Sequence, residues 1–119
     1  MIRVLIERSK ADGAILSFRV EGHADYADPG EDIVCAGVSA VTVGTINAIE
    51  KLTGIVLNSQ MKDGFLRSRI PADLLHVKRE QVQLLLESMV VMLHNIEESY
   101  GEFIAVRFQS TEEGGRLKC

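Results

Sequence analysis

The sequence is poor in aromatic residues and in cysteine, and each shortage argues against a class of protein. Of the 119 residues, 5% are aromatic and none is tryptophan, which argues against the stacking platforms that bind single-stranded nucleic acid. Two cysteines, Cys35 and Cys119, are too few for a disulfide framework, so we expect a reducing, cytoplasmic location. Basic residues are not in excess, since the net charge is −4, and we expect no direct contact with nucleic acid.

An uninterrupted apolar stretch is missing at the N-terminus. Arg3, Glu7 and Arg8 lie within the first apolar segment, which is therefore neither a signal peptide nor a membrane span, and we expect no membrane association. A close pair of metal ligands is missing too, because His76 and His94 fall on a different predicted element from the other candidates. No metal and no other cofactor is expected.

What is present suits one domain over residues 1–119, with 46% apolar and 25% charged residues. Apolar periodicity predicts strands at residues 2–7, 14–21, 55–61, 65–70 and 103–108, helices at 33–53 and 73–100, and a flexible tail at 110–119. This ββαββαβ order predicts an α/β (α+β) fold. We expect a two-layer sandwich, with a mixed sheet of about five strands and two helices packed on one face.

The two predicted helices differ in their apolar surfaces. Asp32 and Gly54 are placed to cap the first helix at its two ends. Its predicted buried face consists of Val34, Val38, Val41, Thr45, Ala48, Ile49 and Leu52. The second helix has an apolar stripe made of Val82, Leu85, Leu86, Met89, Leu93 and Ile96. Leu84, Val91 and Met92 lie outside that stripe, so this helix is either deeply buried or in contact with a second subunit.

The segment 22–39 joins a strand end to a helix start and holds the candidate chemistry. Cys35 falls in the first helical turn, where the helix dipole favours a thiolate. His23 lies across the loop and could accept the thiol proton, which would make a Cys–His dyad. Backbone N–H groups near Cys35 could form an oxyanion hole, and Ser39 lies one helical turn further on.

Several residues of this segment have alternative interpretations. A single cysteine in a helix rich in small residues is usually an inert packing residue, and a single histidine at a strand end is usually solvated. Asp32 could cap the helix, orient His23, or do both. Gly22 and Gly30 could be hinges of a mobile loop, and Tyr26 could be a loop anchor or a substrate contact.

A specific resemblance adds to these residue-level interpretations. Its residues are Gly22-His23-Ala24, Tyr26, the run Gly30-Glu31-Asp32-Ile33-Val34-Cys35-Ala36, and Val38-Ser39-Ala40. On this pattern the chain resembles the ribosomal-processing cysteine protease (Prp, YsxB-like) family, and the likeness extends over nearly the whole length. The resemblance implies that His23 and Cys35 are the catalytic dyad, with Asp32 and Ser39 in support. It also implies a homodimer with a mobile loop over the site.

The resemblance further implies the substrate. Members of the family remove a short N-terminal extension, hydrophobic and ending in aromatic residues, from the precursor of a large-subunit ribosomal protein. The alternative function is a non-enzymatic, ribosome-associated protein-binding domain in which Cys35 only packs. A thiol redox sensor is the weakest alternative, because no resolving cysteine is near Cys35 in the sequence.

Overall fold

Alternating apolar residues give the first strand one buried face. In this computed structural model, which describes residues 1–28 and 31–112, Ile2, Val4 and Ile6 are almost fully buried. The elements are β1 (Ile2–Ser9), β2 (Ile15–Glu21), α1 (Ile33–Thr53), β3 (Asn58–Lys62), β4 (Phe65–Arg69), α2 (His76–Tyr100) and β5 (Ile104–Thr111). The predicted order ββαββαβ is confirmed.

The sheet is mixed, as predicted, and its strand order is β3-β4-β2-β1-β5. β1 pairs antiparallel with β2 and parallel with β5, while β4 pairs antiparallel with both β2 and β3. β4 and β5 run in the same direction, and α2 forms the crossover connection that takes the chain from β4 to the position beside β1. The N-terminal strand therefore lies in the interior of the sheet, next to the strand that carries the candidate histidine at its end.

Helix α1 packs on the sheet through a face made of aliphatic and threonine side chains. Its buried residues are Val34, Val38, Thr42, Thr45, Ile49 and Thr53. The hydroxyl groups of Thr42 and Thr53 donate to carbonyl groups one turn earlier, at 2.8 and 2.6 Å, so their burial leaves no unpaired oxygen. The prediction that Leu52 faces the core is wrong: it is 70% exposed, and Thr53 occupies the core position instead.

Helix α1 is also long and apolar enough to cross a bilayer, with a mean hydropathy of 1.6 in its most apolar window. Core helices of globular domains meet the same criterion, and α1 turns six side chains toward the core. The expected absence of membrane contact stays a prediction.

Three predicted boundaries are wrong by three residues each, and other strand ends differ by one or two residues. β3 begins at Asn58 rather than residue 55, because its register with β4 starts at the pair Asn58–Arg69. α2 begins at His76 rather than residue 73, since Leu75 is its N-cap and the residues before it form a turn. β5 extends to Thr111, where the ladder with β1 continues, so residues 110 and 111 are not tail. The rest of the predicted tail, from residue 113, lies outside the described residues.

Candidate active site

The end of β2 is held in place by two glycines with left-handed backbone conformations. Gly22 has φ 90°, and its N–H donates to the carbonyl of Gly64 at 2.9 Å. A side chain at Gly22 would place its Cβ 2.5 Å from the carbonyl oxygen of Met1. Glycine is therefore required at this position both by conformation and by space. This tight packing is not what a freely moving hinge at Gly22 would show.

Cys35 lies in the first turn of α1, as predicted, with Asp32 as the N-cap. Its Sγ accepts a hydrogen bond from the backbone N–H of Ala24, at 3.3 Å. The sulfur therefore lies beside a backbone donor and near the N-terminal, positive end of the α1 dipole. The thiol is half-buried rather than fully enclosed. Cys35 is thus accessible from the solvent and held by a local backbone contact.

Asp32 uses both carboxylate oxygens on backbone amides. Oδ1 accepts from the N–H groups of Val34 and Cys35, both at 3.0 Å, and Oδ2 accepts from those of Tyr26 and Ala27, at 3.0 and 3.5 Å. Partial burial disfavours ionisation of Asp32, but the hydrogen bonds from Cys35, Tyr26, Ala27 and Val34 outweigh it and lower the pKa of the carboxyl group. Asp32 therefore caps the helix and anchors the preceding loop.

Asp32 does not orient the candidate histidine in this structure. Within the described part of the chain, no hydrogen bond joins its carboxylate to His23.

The backbone amides that were expected to form an oxyanion hole already donate hydrogen bonds to Asp32. The N–H groups of Val34 and Cys35 point to Asp32 Oδ1, and that of Ala36 donates to the carbonyl of Asp32. These donors are occupied in the peptide-free protein.

His23 is exposed at the end of β2, directly before the residue whose amide contacts the sulfur. Its ring lies against Gly64 in the β3–β4 turn, where an added Cβ would be 2.7 Å from Nε2. No hydrogen bond links His23 to Cys35 among the described residues. The structure thus brings the His23 backbone next to the Cys35 side chain and rests the imidazole on a glycine. Gly64 follows Asp63 in a hairpin turn, and an Asp-Gly turn in the sequence gives no sign of this contact.

A groove with a volume of ≈130 Å³ runs past the thiol. It is bounded by the first turns of α1 on one side and by the ends of β1, β2 and β4 on the other. Ser39 lies on its wall one turn after Cys35, as predicted, and is exposed to it. The lining residues are Ile2, Val20, Gly22, Cys35, Val38, Ser39, Thr42, Val43, Met61, Lys62, Gly64, Phe65 and Leu66. Most of them are apolar, so the groove suits an apolar chain segment.

Tyr26 connects the loop to the C-terminal end of α2 and to the residue just before β5. Its ring makes edge-on contacts with the rings of Tyr100 and Phe103, with centroid distances of 5.7 and 5.1 Å. These contacts favour the anchor role for Tyr26 over the substrate-contact role. Gly30, the other candidate hinge, lies outside the described residues. Among those that are described, no group of three or more potential metal ligands is found.

Known proteins are similar to this chain in sequence and in fold. The family model described as cysteine protease Prp matches residues 1–105. The ribosomal processing cysteine protease Prp of Bacillus subtilis is 41% identical over 108 residues, which cover 89% of this chain and 96% of that protein. The protein of the same name from Staphylococcus aureus is 36% identical over 98 residues, covering 82% and 91% of the two chains.

Solved structures agree with the sequence matches. A crystal structure of the ribosomal processing protease Prp from S. aureus, with a covalently linked product peptide, superposes with a TM-score of 0.82 at 36% identity, covering 92% of this chain and all of that one. A second S. aureus structure, with a substrate peptide, has a TM-score of 0.77 at 35% identity, covering 92% of this chain and 100% of that one. With its single internal cysteine at the start of α1 beside an open groove, this chain belongs to the cysteine protease Prp family.

Proposed function

We propose that this protein is a cysteine endopeptidase that removes a short N-terminal extension from the precursor of a large-subunit ribosomal protein. The observation that carries the proposal is the position of Cys35: its sulfur lies at a helix N-terminus, accepts the Ala24 amide hydrogen and borders an apolar groove. Ribosomal proteins are proposed as substrates because the relatives are named as ribosomal processing proteases.

His23 and Cys35 form the proposed catalytic dyad. His23 accepts the thiol proton of Cys35, and the resulting thiolate attacks the carbonyl carbon of the scissile peptide bond. The imidazolium then gives that proton to the leaving amine as the C–N bond breaks, which leaves a thioester on Cys35. Water, deprotonated by His23, hydrolyses the thioester and restores the thiol. The Ala24 amide, which follows His23 in the chain, donates to the sulfur, and in the proposed mechanism the exposed imidazole turns from Gly64 toward Cys35.

Asp32 and Ser39 support the reaction without taking part in bond breaking. Asp32 fixes the first turn of α1 and the loop relative to each other, and so keeps Ala24 and Cys35 in register. Because its charge is already compensated by four amides, Asp32 opposes formation of the thiolate less than a free carboxylate would. Ser39 offers a hydroxyl group to the peptide on the wall of the groove.

The groove supports an apolar peptide as the substrate segment. Its lining side chains Val38, Met61 and Leu66 offer apolar contacts, and its open side lets a chain pass through. We propose that the hydrophobic extension of the precursor binds here and places its last residues next to Cys35. The related S. aureus protease has been solved with a substrate peptide, which fits a peptide-binding groove in this fold.

Incubation of the purified protein with the extended precursor, followed by intact-mass analysis, tests the proposal. We expect loss of the extension with the wild type and no cleavage with Cys35→Ala or His23→Ala, because each variant removes one member of the dyad. Cys119→Ala is the matched control and should cleave normally. Cleavage by Cys35→Ala at the wild-type rate would contradict the mechanism, and no cleavage by the wild type would contradict the assigned substrate.

We also propose that the enzyme is a homodimer that acts in the cytoplasm. Val77, Leu84 and Val91 are 63, 71 and 59% exposed and recur every seven residues along α2. This spacing places them in one line on the solvent side of the helix, the arrangement that a helix–helix contact between subunits requires. The cytoplasmic location is supported by the free thiol on which the proposed chemistry depends.

A further inference from the structure

Both helices of the described residues pack on the same face of the sheet, and the strand register collects basic residues on the other face, here called the open face. Residues directly across from each other on neighbouring strands share a face. Starting from Arg3 on β1, the pairings assign to the open face the basic residues Arg3, Arg19, Lys62, Arg67, Arg69 and Arg107 and the acidic residues Glu7 and Glu21. Six basic and two acidic side chains give the open face a charge of +4, whereas the whole chain carries −4.

The two acidic side chains do not neutralise this face. Glu21 forms an ion pair with Arg19 at 2.7 Å, and Glu7 accepts hydrogen bonds from the hydroxyl groups of Ser17 and Thr111. In the part of the chain that the structure describes, Arg3, Lys62, Arg67 and Arg69 have no acidic partner. A cluster of uncompensated cations attracts anionic partners, even on a protein whose net charge is negative.

Other occupants fit the open face poorly. A second copy of the chain would bring two faces of the same sign together, which electrostatic repulsion disfavours. A bilayer or an apolar protein would need apolar side chains to insert or bury. Of the described residues, the exposed large apolar ones all lie elsewhere than on the open face. Five of the six cations are arginines, whose planar guanidinium group suits phosphate oxygens.

We propose that the open face binds the phosphate backbone of double-helical RNA. Single-stranded RNA would need exposed aromatic rings for base stacking, and the aromatic residue on this face, Phe65, is half-buried. A duplex is held through phosphate and sugar contacts that a row of arginines can make without such rings. The choice of RNA over DNA rests on the proposed function, since a ribosomal protein precursor meets its RNA as the ribosome assembles.

The position of the open face connects this binding to the protease site. Lys62 and Phe65 form the cross-strand pair next to the β3–β4 turn. Both also border the groove beside Cys35. RNA bound across Arg67 and Arg69 would therefore lie next to the groove without filling it. The surface would hold the enzyme on RNA-containing particles while the groove accepts the peptide.

The test measures binding of a fluorescein-labelled RNA duplex of about 20 base pairs, a little longer than the ≈16 bp that a double-stranded-RNA module covers. The variant Arg67→Gln/Arg69→Gln removes two cations from the open face. The control Lys51→Gln/Lys78→Gln removes the same charge from α1 and α2. We expect the open-face variant to bind about tenfold more weakly, with a salt slope smaller by about 2, and the control to bind like the wild type.

Several outcomes would overturn the proposal. These are no binding by the wild type at low salt, equal weakening in the two variants, equal affinity for a DNA duplex of the same length, or preferential binding to phosphatidylserine vesicles. Binding by the Cys35→Ala protein is measured in parallel, so the result is independent of whether the precursor is cleaved. Both double variants are expected to cleave a peptide substrate at the wild-type rate, which shows that they are folded.

Discussion

Gly64 offers a direct test of the role assigned to His23. The imidazole rests on this glycine, and Gly64→Ala would place a methyl group 2.7 Å from Nε2. Non-bonded heavy atoms prefer about 3.5 Å or more, so the ring would have to move by about 0.8 Å. The ring is exposed and can do so without disturbing the core. The substitution should therefore displace the proposed base while the fold is retained.

Gly13→Ala is a matched control for the backbone effect. Gly13 and Gly64 both close Asp-Gly hairpin turns, with φ 76° and 70°, but an added Cβ at Gly13 has no neighbour within 4 Å. Each alanine should cost about 1–2 kcal/mol because a left-handed conformation disfavours a side chain. The two variants should therefore lose similar stability in urea titrations. Because Gly64 also borders the groove, a difference between them in kcat at saturating precursor, rather than in KM, reports the contact with His23.

For Gly64→Ala we expect kcat/KM for precursor cleavage about 100-fold below that of Gly13→Ala, the scale of effect that a misplacement of about 1 Å can have. Initial rates at several precursor concentrations, measured where both variants are fully folded, give this ratio. Equal kcat/KM values for the two variants would refute the argument that Gly64 positions His23. A loss of stability much larger in Gly64→Ala would show that the ring cannot move aside freely.

Two further predictions concern Asp32 and the outer side of α2. The pKa of Asp32 is lower in the folded protein than in the unfolded chain, so its stabilising effect is present above the unfolded pKa and is lost as pH falls through the folded one. The urea midpoint of the wild type should exceed that of Asp32→Asn at pH 6. This difference between the midpoints should become smaller at acidic pH. A difference that becomes larger at acidic pH would contradict the stabilising role of the Asp32 carboxylate. Leu84→Glu places a charge in the exposed apolar line of α2 and should shift the proposed dimer to monomer in light-scattering measurements, whereas Lys78→Glu on the same helix should not. A monomeric wild type, or a Leu84→Glu variant that remains dimeric, would contradict the α2 interface.

Features with a regular period or a local cap could be predicted from the sequence. The alternation on β1 predicted its buried face, and the N-cap position of Asp32 predicted that Cys35 begins a helix. Both depend on interactions between residues close in sequence, which the pattern of residue types determines directly. The placement of Ser39 on the same wall as Cys35 followed from the 3.6-residue period of that helix.

Features that depend on contacts distant in sequence could not be predicted. The second oxygen of Asp32 holds Tyr26, the ring of Tyr26 meets Tyr100, and His23 rests on Gly64. None of these pairs has a fixed spacing in sequence, because the loop has no periodic structure and its path is determined by the tertiary fold. The amides of Val34 and Cys35 are a different case, because their hydrogen bonds to Asp32 are local and accompany the predicted cap.

The open face shows why a total charge is a weak guide to partners. The residues of the open face do not pack in the core, so core packing does not require arginine at these positions. Arg19 lies directly opposite Arg67, and like charges at such a pair destabilise a sheet. Neutral polar residues would satisfy the fold equally well and without this repulsion. The arrangement is therefore explained better by a bound anion, whose phosphates would relieve the repulsion, than by any requirement of the sheet itself.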